Sequence, residues 1–491
     1  METMLGEERS AGTVRFLAPL APKVMALLAL LALLALFALY ATFRQRYVGA
    51  SDWYGYYALS RLLREGRLTM PMEIDVSRYP AAVPLSFEAD QGRAIPRYPP
   101  GYPLLLALAG VVGAEFFVTP LCAVLSVLVL YLILIRRVSR FVAVLVCASW
   151  ALCPIVVWGA GNVMSDLPAA LLLMTTYCLL DRERPALAGI IFALAVATRP
   201  TNALFGLLLL PLFGDWRRFL RFAAAAAAGG AAYGLYNLGV FGAPWRMGYR
   251  DSFAGFRLAH FPRNFPRFAS HLLTVLTAGT LLPAVVGVFR RRRRSLFFLA
   301  WFMLFWVLYS FWWVKPDPWW YLRFLLPGLP GLFVLAADGW EDVRRWLDER
   351  GRGWRVGVRV AYGLGAAALL AFFVRFGGEH HLFTRTTAKR FYDVATSARE
   401  RLPGNALIGA YTHTGSLRLY GGFESFRIPY PSSLDLVSDT LKTGRPVYLL
   451  LEPGLKENAM MKRILSQFEV DSGTELEGWP DAKAVRVVGR K

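Results

Sequence analysis

Two aspartates and three arginines stand in short polar gaps between long apolar runs. Asp52 lies in Ser51-Asp52-Trp53-Tyr54-Gly55-Tyr56-Tyr57, and Asp166 in Gly161-Asn162-Val163-Met164-Ser165-Asp166-Leu167-Pro168. Arg97 opens Arg97-Tyr98-Pro99-Pro100-Gly101-Tyr102-Pro103, Arg199 sits in Thr198-Arg199-Pro200-Thr201-Asn202, and Arg323 follows Trp319-Trp320-Tyr321-Leu322. A carboxylate at a water boundary can take a proton from a hydroxyl, and guanidinium groups can hold a phosphate as it leaves. Each residue also has a plainer reading. Asp52 and Ser165 suit helix N-caps, and Asp166 is stabilised at a helix N-terminus. The prolines around Arg97 force an extended entry to a helix. Arg199 and Arg323 can snorkel to headgroups. An ionisable residue between apolar runs is nonetheless a functional candidate.

The elements that must position these residues are membrane helices. The chain has 491 residues, 56% hydrophobic and 18% charged, against roughly 45–50% and about 25% for a soluble domain. Uncharged runs cover residues 24–43, 116–135, 141–165, 222–245, 272–289 and 295–314. About 20 helical residues cross the hydrocarbon core, so a soluble enzyme, a disordered chain and a disulfide scaffold are excluded. The net charge of +21 does not point to nucleic acid, because the basic residues gather between apolar runs and form no separate aromatic-basic domain. Cys122, Cys147, Cys153 and Cys178 all fall within apolar runs and read as small core residues.

The arginine-rich connections 136–140, 214–218, 290–294 and 339–359 set the orientation when placed in the cytoplasm. The N-terminus is then cytoplasmic and 24–43 crosses outward. Further crossings fall at a run ending at 135, then 141–158, 167–180, 185–198, 200–213, 219–241, 272–289, 295–314, 324–337 and 360–376. That gives about eleven spans, within a range of ten to thirteen, and an outer C-terminus. Residues 44–101 become a long outer loop, with an amphipathic helix near Asp52 that ends at Gly66 and lies on the membrane surface. Residues 243–267 become a second outer loop, rich in arginine and in need of an anionic partner. Residues 377–491 form a small outer α/β domain. Its expected helices are 388–402, 432–443 and 460–468, and its expected strands are 406–410, 446–451 and 484–488.

The same orientation puts Asp52, Asp166, Arg97, Arg199 and Arg323 on one face, which suits transfer from a phosphorylated lipid. Tyr98, Trp319, Trp320 and Tyr321 stand beside them as a carrier groove or as an interfacial aromatic belt. The five histidines lack the spacing of a closed zinc site. No cofactor is expected, although Asp52 and Asp166 together could hold a divalent cation.

In order along the chain, Asp52 after the first span, Tyr-Pro-Pro-Gly-Tyr-Pro at 98–103, Met-Ser-Asp-Leu-Pro at 164–168, Thr-Arg-Pro-Thr-Asn at 198–202 and Tyr-Leu-Arg-Phe-Leu-Leu-Pro at 321–327 give a recognisable series. Over roughly residues 20–340 the chain resembles the GT-C glycosyltransferases, in the branch of protein O-mannosyltransferases and lipid A aminoarabinose transferases. The resemblance implies a polytopic α-helical membrane enzyme, with residues 1–376 as the transferase domain. It implies an inverting transfer from a polyprenyl-phosphate sugar to a hydroxyl acceptor (glycan, lipid or protein) at the periplasmic face of the inner membrane. Asp52 would be the catalytic aspartate, Asp166 a second acid of the site, and Arg97 and Arg323 phosphate ligands. Two positions depart from the pattern: Trp53 follows Asp52 where many relatives have an Asp-Glu pair, and Arg97 stands near where relatives often have Lys. A transporter or flippase of lipid-linked sugars, and a membrane-anchored sensor built on the tail, are the competing readings.

Overall fold

The computed structural model describes residues 21–249, 253–290, 292–349, 352–384, 387–452, 455, 458–479 and 482–491. Expectations on residues 1–20, Arg250, Asp251, Arg291, Arg350 and Gly351 lie outside that set. The first apolar run forms one helix, Ala21–Thr42, and the next long one is Val118–Leu134. These are the two helices that are long and apolar enough to cross a membrane singly. Counting bent pairs as single spans raises the number to at most five among the described residues.

Several of the expected crossings are bent or broken and are not straight rods. The run 141–158 is broken by 56° between Arg140–Ala151 and Pro154–Gly161, where Pro154 cannot continue the hydrogen-bond ladder. The run 272–289 falls across a 119° corner between Leu258–Val275 and Ala278–Phe289. The expected crossing 324–337 begins at an 89° corner between Trp319–Leu325 and Leu329–Asp348. The expected crossing 200–213 is a chain of short pieces, Pro200–Leu204, Phe205–Leu209 and Leu210–Leu212, interrupted at Pro200 and Pro211. Absence of charge reports shelter from water, and it is silent on whether a helix is straight. Asp166–Asp181, Pro185–Thr198, Trp216–Phe241, Arg292–Ser310 and Arg352–Glu379 are continuous helices.

Helix contacts follow small residues. A Cβ on Gly189 would meet the Phe222 carbonyl, and one on Gly229 would meet Ala193, so Pro185–Thr198 and Trp216–Phe241 pack almost backbone to backbone. The four cysteines are buried and unbridged.

The segment 44–101, expected as the first outer loop, contains the helix Ser51–Arg64 and the hairpin β1 (Phe87–Asp90) and β2 (Arg93–Pro96). Gln91 and Gly92 both have positive φ, at 50° and 75°, the conformation of a two-residue hairpin turn. Gly66 adopts φ 69° just beyond the helix, as its place in the sequence suggests. The helix does not simply rest on a membrane. Tyr54, Tyr56, Ala58, Leu59 and Leu62 are buried within the protein, and Tyr54 packs on Phe87.

The tail holds β3 (Leu407–Ala410), β4 (Glu424–Arg427), β5 (Val447–Leu451), β6 (Phe468–Val470), β7 (Thr474–Glu475) and β8 (Lys483–Arg490), with helices Lys389–Arg401, Ser433–Lys442 and Ala459–Gln467. The main strand order is β4-β3-β5-β8-β6. β3 runs parallel to both β4 and β5, and β8 runs antiparallel to β5 and β6. One face of this sheet shares its apolar core with the first outer loop, Tyr79 and Ala82 packing with Leu407, Phe426, Val447 and Ile464. Arg78 and the Tyr79 hydroxyl both donate to Asp439 at 2.6 and 2.7 Å.

Candidate active site

A cavity of about 880 Å³ is lined by Asp52, Asp166, Arg97, Arg199 and Arg323 together, and by Tyr98, Trp319, Trp320 and Tyr321. All nine residues singled out in the sequence therefore meet at one place.

Asp52 enters from the first turn of Ser51–Arg64, but its side chain caps nothing; the N-cap is Ala50. Its Oδ2 instead accepts from Arg323 Nη2 at 2.7 Å. Its Oδ1 accepts from the Tyr98 hydroxyl at 2.5 Å and from the Ser51 hydroxyl at 3.0 Å. Tyr98 reaches that position over Gly55, whose missing Cβ would fall 2.4 Å from the Tyr98 ring. Burial works against the charge on Asp52, but the Arg323 guanidinium and the hydrogen bonds from Tyr98, Arg323 and Ser51 outweigh it. Its carboxyl is held below the usual aspartate value.

Asp166 begins the helix Asp166–Asp181 and pairs with Arg199 through Nη1. Both side chains are largely buried. Ser165 does not cap this helix through its side chain. Its hydroxyl shares a 2.8 Å hydrogen bond with the Tyr56 hydroxyl, tying the Asp52 helix to the Asp166 helix. Arg199 is the extended residue that ends Pro185–Thr198. Gly101 packs so closely there that a Cβ would lie 2.5 Å from the Thr198 nitrogen. The two ion pairs are neighbours, because the Phe324 ring lies under both guanidinium groups, 5.7 Å from Arg199 and 4.8 Å from Arg323.

Arg323 has donors to spare. Nη1 points at the Met164 thioether at 2.8 Å, a weak acceptor, and Nε is buried with no partner. Only 9% of the residue is exposed. Arg97 lines the cavity directly after β2, its carbonyl pressed against Gly248. Trp320 stacks on Trp158 at 5.9 Å and on Tyr321 at 4.3 Å. Trp319 packs edge-on against Phe376.

Tyr249, Arg390, Tyr411 and Thr412 are among the lining residues that the sequence reading missed. Tyr249 packs edge-on against Tyr98. The other three belong to the tail and carry no local motif; only the fold brings them to the cavity. Among the described residues no group of three or more His, Cys, Asp or Glu side chains is placed to hold a metal ion.

No family model matches the chain, and no curated protein matches it in sequence. Solved structures match it closely in fold. ArnT from Cupriavidus metallidurans in the apo state superposes with a TM-score of 0.60 at 14% identity, covering 95% of this chain and 98% of its own. ArnT bound to undecaprenyl phosphate gives 0.60 at 13%, covering 94% and 98%. The oligosaccharyltransferase AglB from Archaeoglobus fulgidus, in complex with an inhibitory peptide and a dolichol-phosphate, gives 0.55 at 14%, covering 92% and 74%. Arabinofuranosyltransferase AftD from Mycobacteria gives 0.55 at 13%, covering 94% of this chain and 40% of its own. Over nearly its whole length, the chain has the fold of the GT-C glycosyltransferases.

Proposed function

We propose that the protein is an inverting glycosyltransferase that moves one sugar from a polyprenyl-phosphate carrier to a hydroxyl acceptor at the outer face of the inner membrane. The observation that carries this reading is the contact between Asp52 and Arg323. One guanidinium group holds the carboxylate through Nη2 and still offers Nη1 and Nε to a second anion. A phosphate bound there would lie next to the base. The ArnT and AglB structures with undecaprenyl phosphate and dolichol-phosphate support a donor of that class.

In the reaction, the acceptor hydroxyl gives its proton to Asp52 as its oxygen bonds to the anomeric carbon. The bond from that carbon to the phosphate oxygen breaks on the opposite face. Its electron pair leaves with the polyprenyl phosphate, whose growing charge Arg323, Arg97 and Arg199 neutralise. The donor phosphate also draws on Arg323's charge, which loosens that residue's hold on Asp52 and makes the carboxylate a better base when the donor is present. Asp166 positions acceptor or sugar and keeps Arg199 in place. The arginines supply the positive charge that a metal would otherwise bring, so no divalent ion takes part. Trp319, Trp320 and Tyr321 line the groove for the carrier. About eleven spans, a cytoplasmic N-terminus and an outer tail complete the arrangement, with residues 1–376 as the transferase domain and 377–491 as the outer domain.

Transfer from a panel of labelled lipid-phosphate sugars by purified protein tests this. Asp52→Asn is expected to lose about 10²–10⁴-fold in rate, with lipid-phosphate affinity retained. Equal rates for the two proteins refute the assignment. Translocation of labelled lipid in liposomes without glycosidic product identifies a transporter instead.

A further inference from the structure

The tail's contribution to the cavity has no role in the mechanism above. Two contacts place it beside Asp52. Gly49 packs so closely on the Phe391 ring that a Cβ there would lie 2.2 Å away, and Gly415 packs likewise on Tyr54. Residues 49 and 54 flank Asp52, so the tail packs on both sides of it, and Arg390 and the turn at Tyr411 and Thr412 line the same cavity as Asp52. The Leu85 N–H donates to the Thr414 hydroxyl at 3.0 Å and fastens the same turn to the first loop.

The turn is held rigidly from behind. The buried Glu452 carboxylate accepts from the N–H groups of Tyr411, Thr412 and His413 at 2.8, 3.0 and 3.2 Å, and from the Thr412 hydroxyl at 2.5 Å. Glu452 is thus committed to the backbone and to His413. Arg390 lies over the Trp479 and Phe391 rings, at 4.6 and 5.0 Å. Tyr411 keeps 44% of its surface exposed although its backbone is fixed. The result is a preorganised aromatic face beside a cation.

Charge counting points the same way. Among the described residues the cavity wall carries four arginines, Arg97, Arg199, Arg323 and Arg390, against two aspartates, Asp52 and Asp166, a net of +2. A polyprenyl-phosphate sugar is a phosphodiester with one negative charge, so donor binding leaves one positive charge in excess. Arg390 is the arginine of the four that belongs to the tail.

We propose that Arg390 and Tyr411 form the acceptor subsite, and that it takes a saccharide bearing an anionic group, phosphate or carboxylate, next to the hydroxyl that is glycosylated. This rests on the transferase reading for its chemistry but predicts a binding preference of its own. Tyr411 gives the sugar ring an apolar face with a polar edge, and Arg390 holds the anion through paired N–H groups.

The test uses the full-length protein in micelles with undecaprenyl methyl phosphate bound, a phosphodiester with the donor's single negative charge, and titrates glucose, glucose 6-phosphate and glucuronic acid by calorimetry. The two charged sugars should bind at least about tenfold tighter than glucose, and comparison of the two tells phosphate from carboxylate. Arg390→Ala should bring both down to the level of glucose, Arg390→Lys should restore part of the preference, and Tyr411→Ala should weaken all three alike. Undecaprenyl methyl phosphate affinity, measured separately, reports whether each variant is folded. Equal affinity for charged and neutral sugars, or an anion preference that survives Arg390→Ala, overturns the proposal. So does displacement of undecaprenyl methyl phosphate by glucose 6-phosphate, which would place the anion in the donor site. Failure of the wild type to bind undecaprenyl methyl phosphate counts against the transferase reading, while the sugar preference is scored on its own.

Discussion

Replacing Arg323 by Gln keeps a polar side chain on the same aliphatic stem but shortens it and removes its charge, leaving Asp52 without its ionic partner. Breaking a buried pair from one side costs about 3–5 kcal/mol. The Asp52 side chain keeps 27% of its surface exposed, so hydration by cavity water brings the expected destabilisation to the low end, about 2–3 kcal/mol. Adding Asp52→Asn removes the orphaned charge, so the double variant should be more stable than Arg323→Gln alone by about 1–2 kcal/mol. Donor affinity should also fall, since a hydrogen bond to a charged group contributes about 1.5–3 kcal/mol, which is about 10–150-fold. The pH profile gives an independent sign. In the native protein Asp52 is held below its ordinary value. Its ionised form therefore adds stability above the unfolded pKa of about 3.9, and that contribution is lost as pH falls through the folded value. Without Arg323, burial dominates, the folded value rises, and the acid limb of kcat/KM should move to higher pH. Thermal melts of the four proteins in this cycle, undecaprenyl phosphate titrations and pH–rate curves from pH 4 to 8 measure all three effects. A double variant no more stable than the single one, or an acid limb that stays put, refutes the coupling.

Four further outcomes follow from the packing at particular residues. Gly101→Ala drives a Cβ into the Thr198 and Ala197 backbone, next to Arg199, and should cost about 1–3 kcal/mol in stability and about tenfold or more in kcat/KM. Gly230→Ala, where a Cβ meets nothing within 4 Å, should leave the rate unchanged. Tyr98→Phe removes the 2.5 Å hydrogen bond to Asp52 and should shift the acid limb upward in the same sense as Arg323→Gln, by less, with the protein still folded. Burial opposes the charge on Glu452, but the hydrogen bond and charge of His413, with Thr412 and the Tyr411 N–H, hold it below the usual glutamate range. It should therefore stabilise the fold above about pH 4.3 and lose that effect as pH falls through its folded value, so Glu452→Gln should flatten the acid side of a melting-temperature profile.

The acids and arginines were legible because Asp52, Asp166, Arg97, Arg199 and Arg323 stand in short polar gaps between apolar runs, and the fold gathers them at one cavity. Their partners were not. Asp52 with Arg323 and Asp166 with Arg199 are joined across 271 and 33 residues, and one sequence carries no record of such distances. The capping readings of Asp52 and Ser165 failed for the same reason, since tertiary partners outcompeted the local backbone for both side chains. In the tail the alternation of strand and helix signals was strong enough to place β3, β5, β8 and the helices Lys389–Arg401, Ser433–Lys442 and Ala459–Gln467 to within a few residues. β6 and β7 are three and two residues long, too short for period-two patterning to register. β4, of the same length as β3, mixes Glu424, Ser425 and Arg427 with one apolar residue and so lacks the apolar run that marked β3. Pro154, Pro200 and Pro211 did mark breaks, and reading them as such would have corrected the straight spans.

The core shared by the tail and the first outer loop also bears on how the protein is made. Arg78 and Asp439 are separated by 361 residues. At about 5–20 residues per second, a ribosome takes about 20–70 s to make the intervening chain. Throughout that interval the segment with Tyr79 and Ala82 waits without the sheet that covers it, and the helix bearing Asp52 lacks its roof. Asp52 is set in place early and enclosed last, so a growing or truncated chain lacks a finished cavity. It also leaves an apolar surface exposed, and a chaperone or protease would meet it well before translation ends.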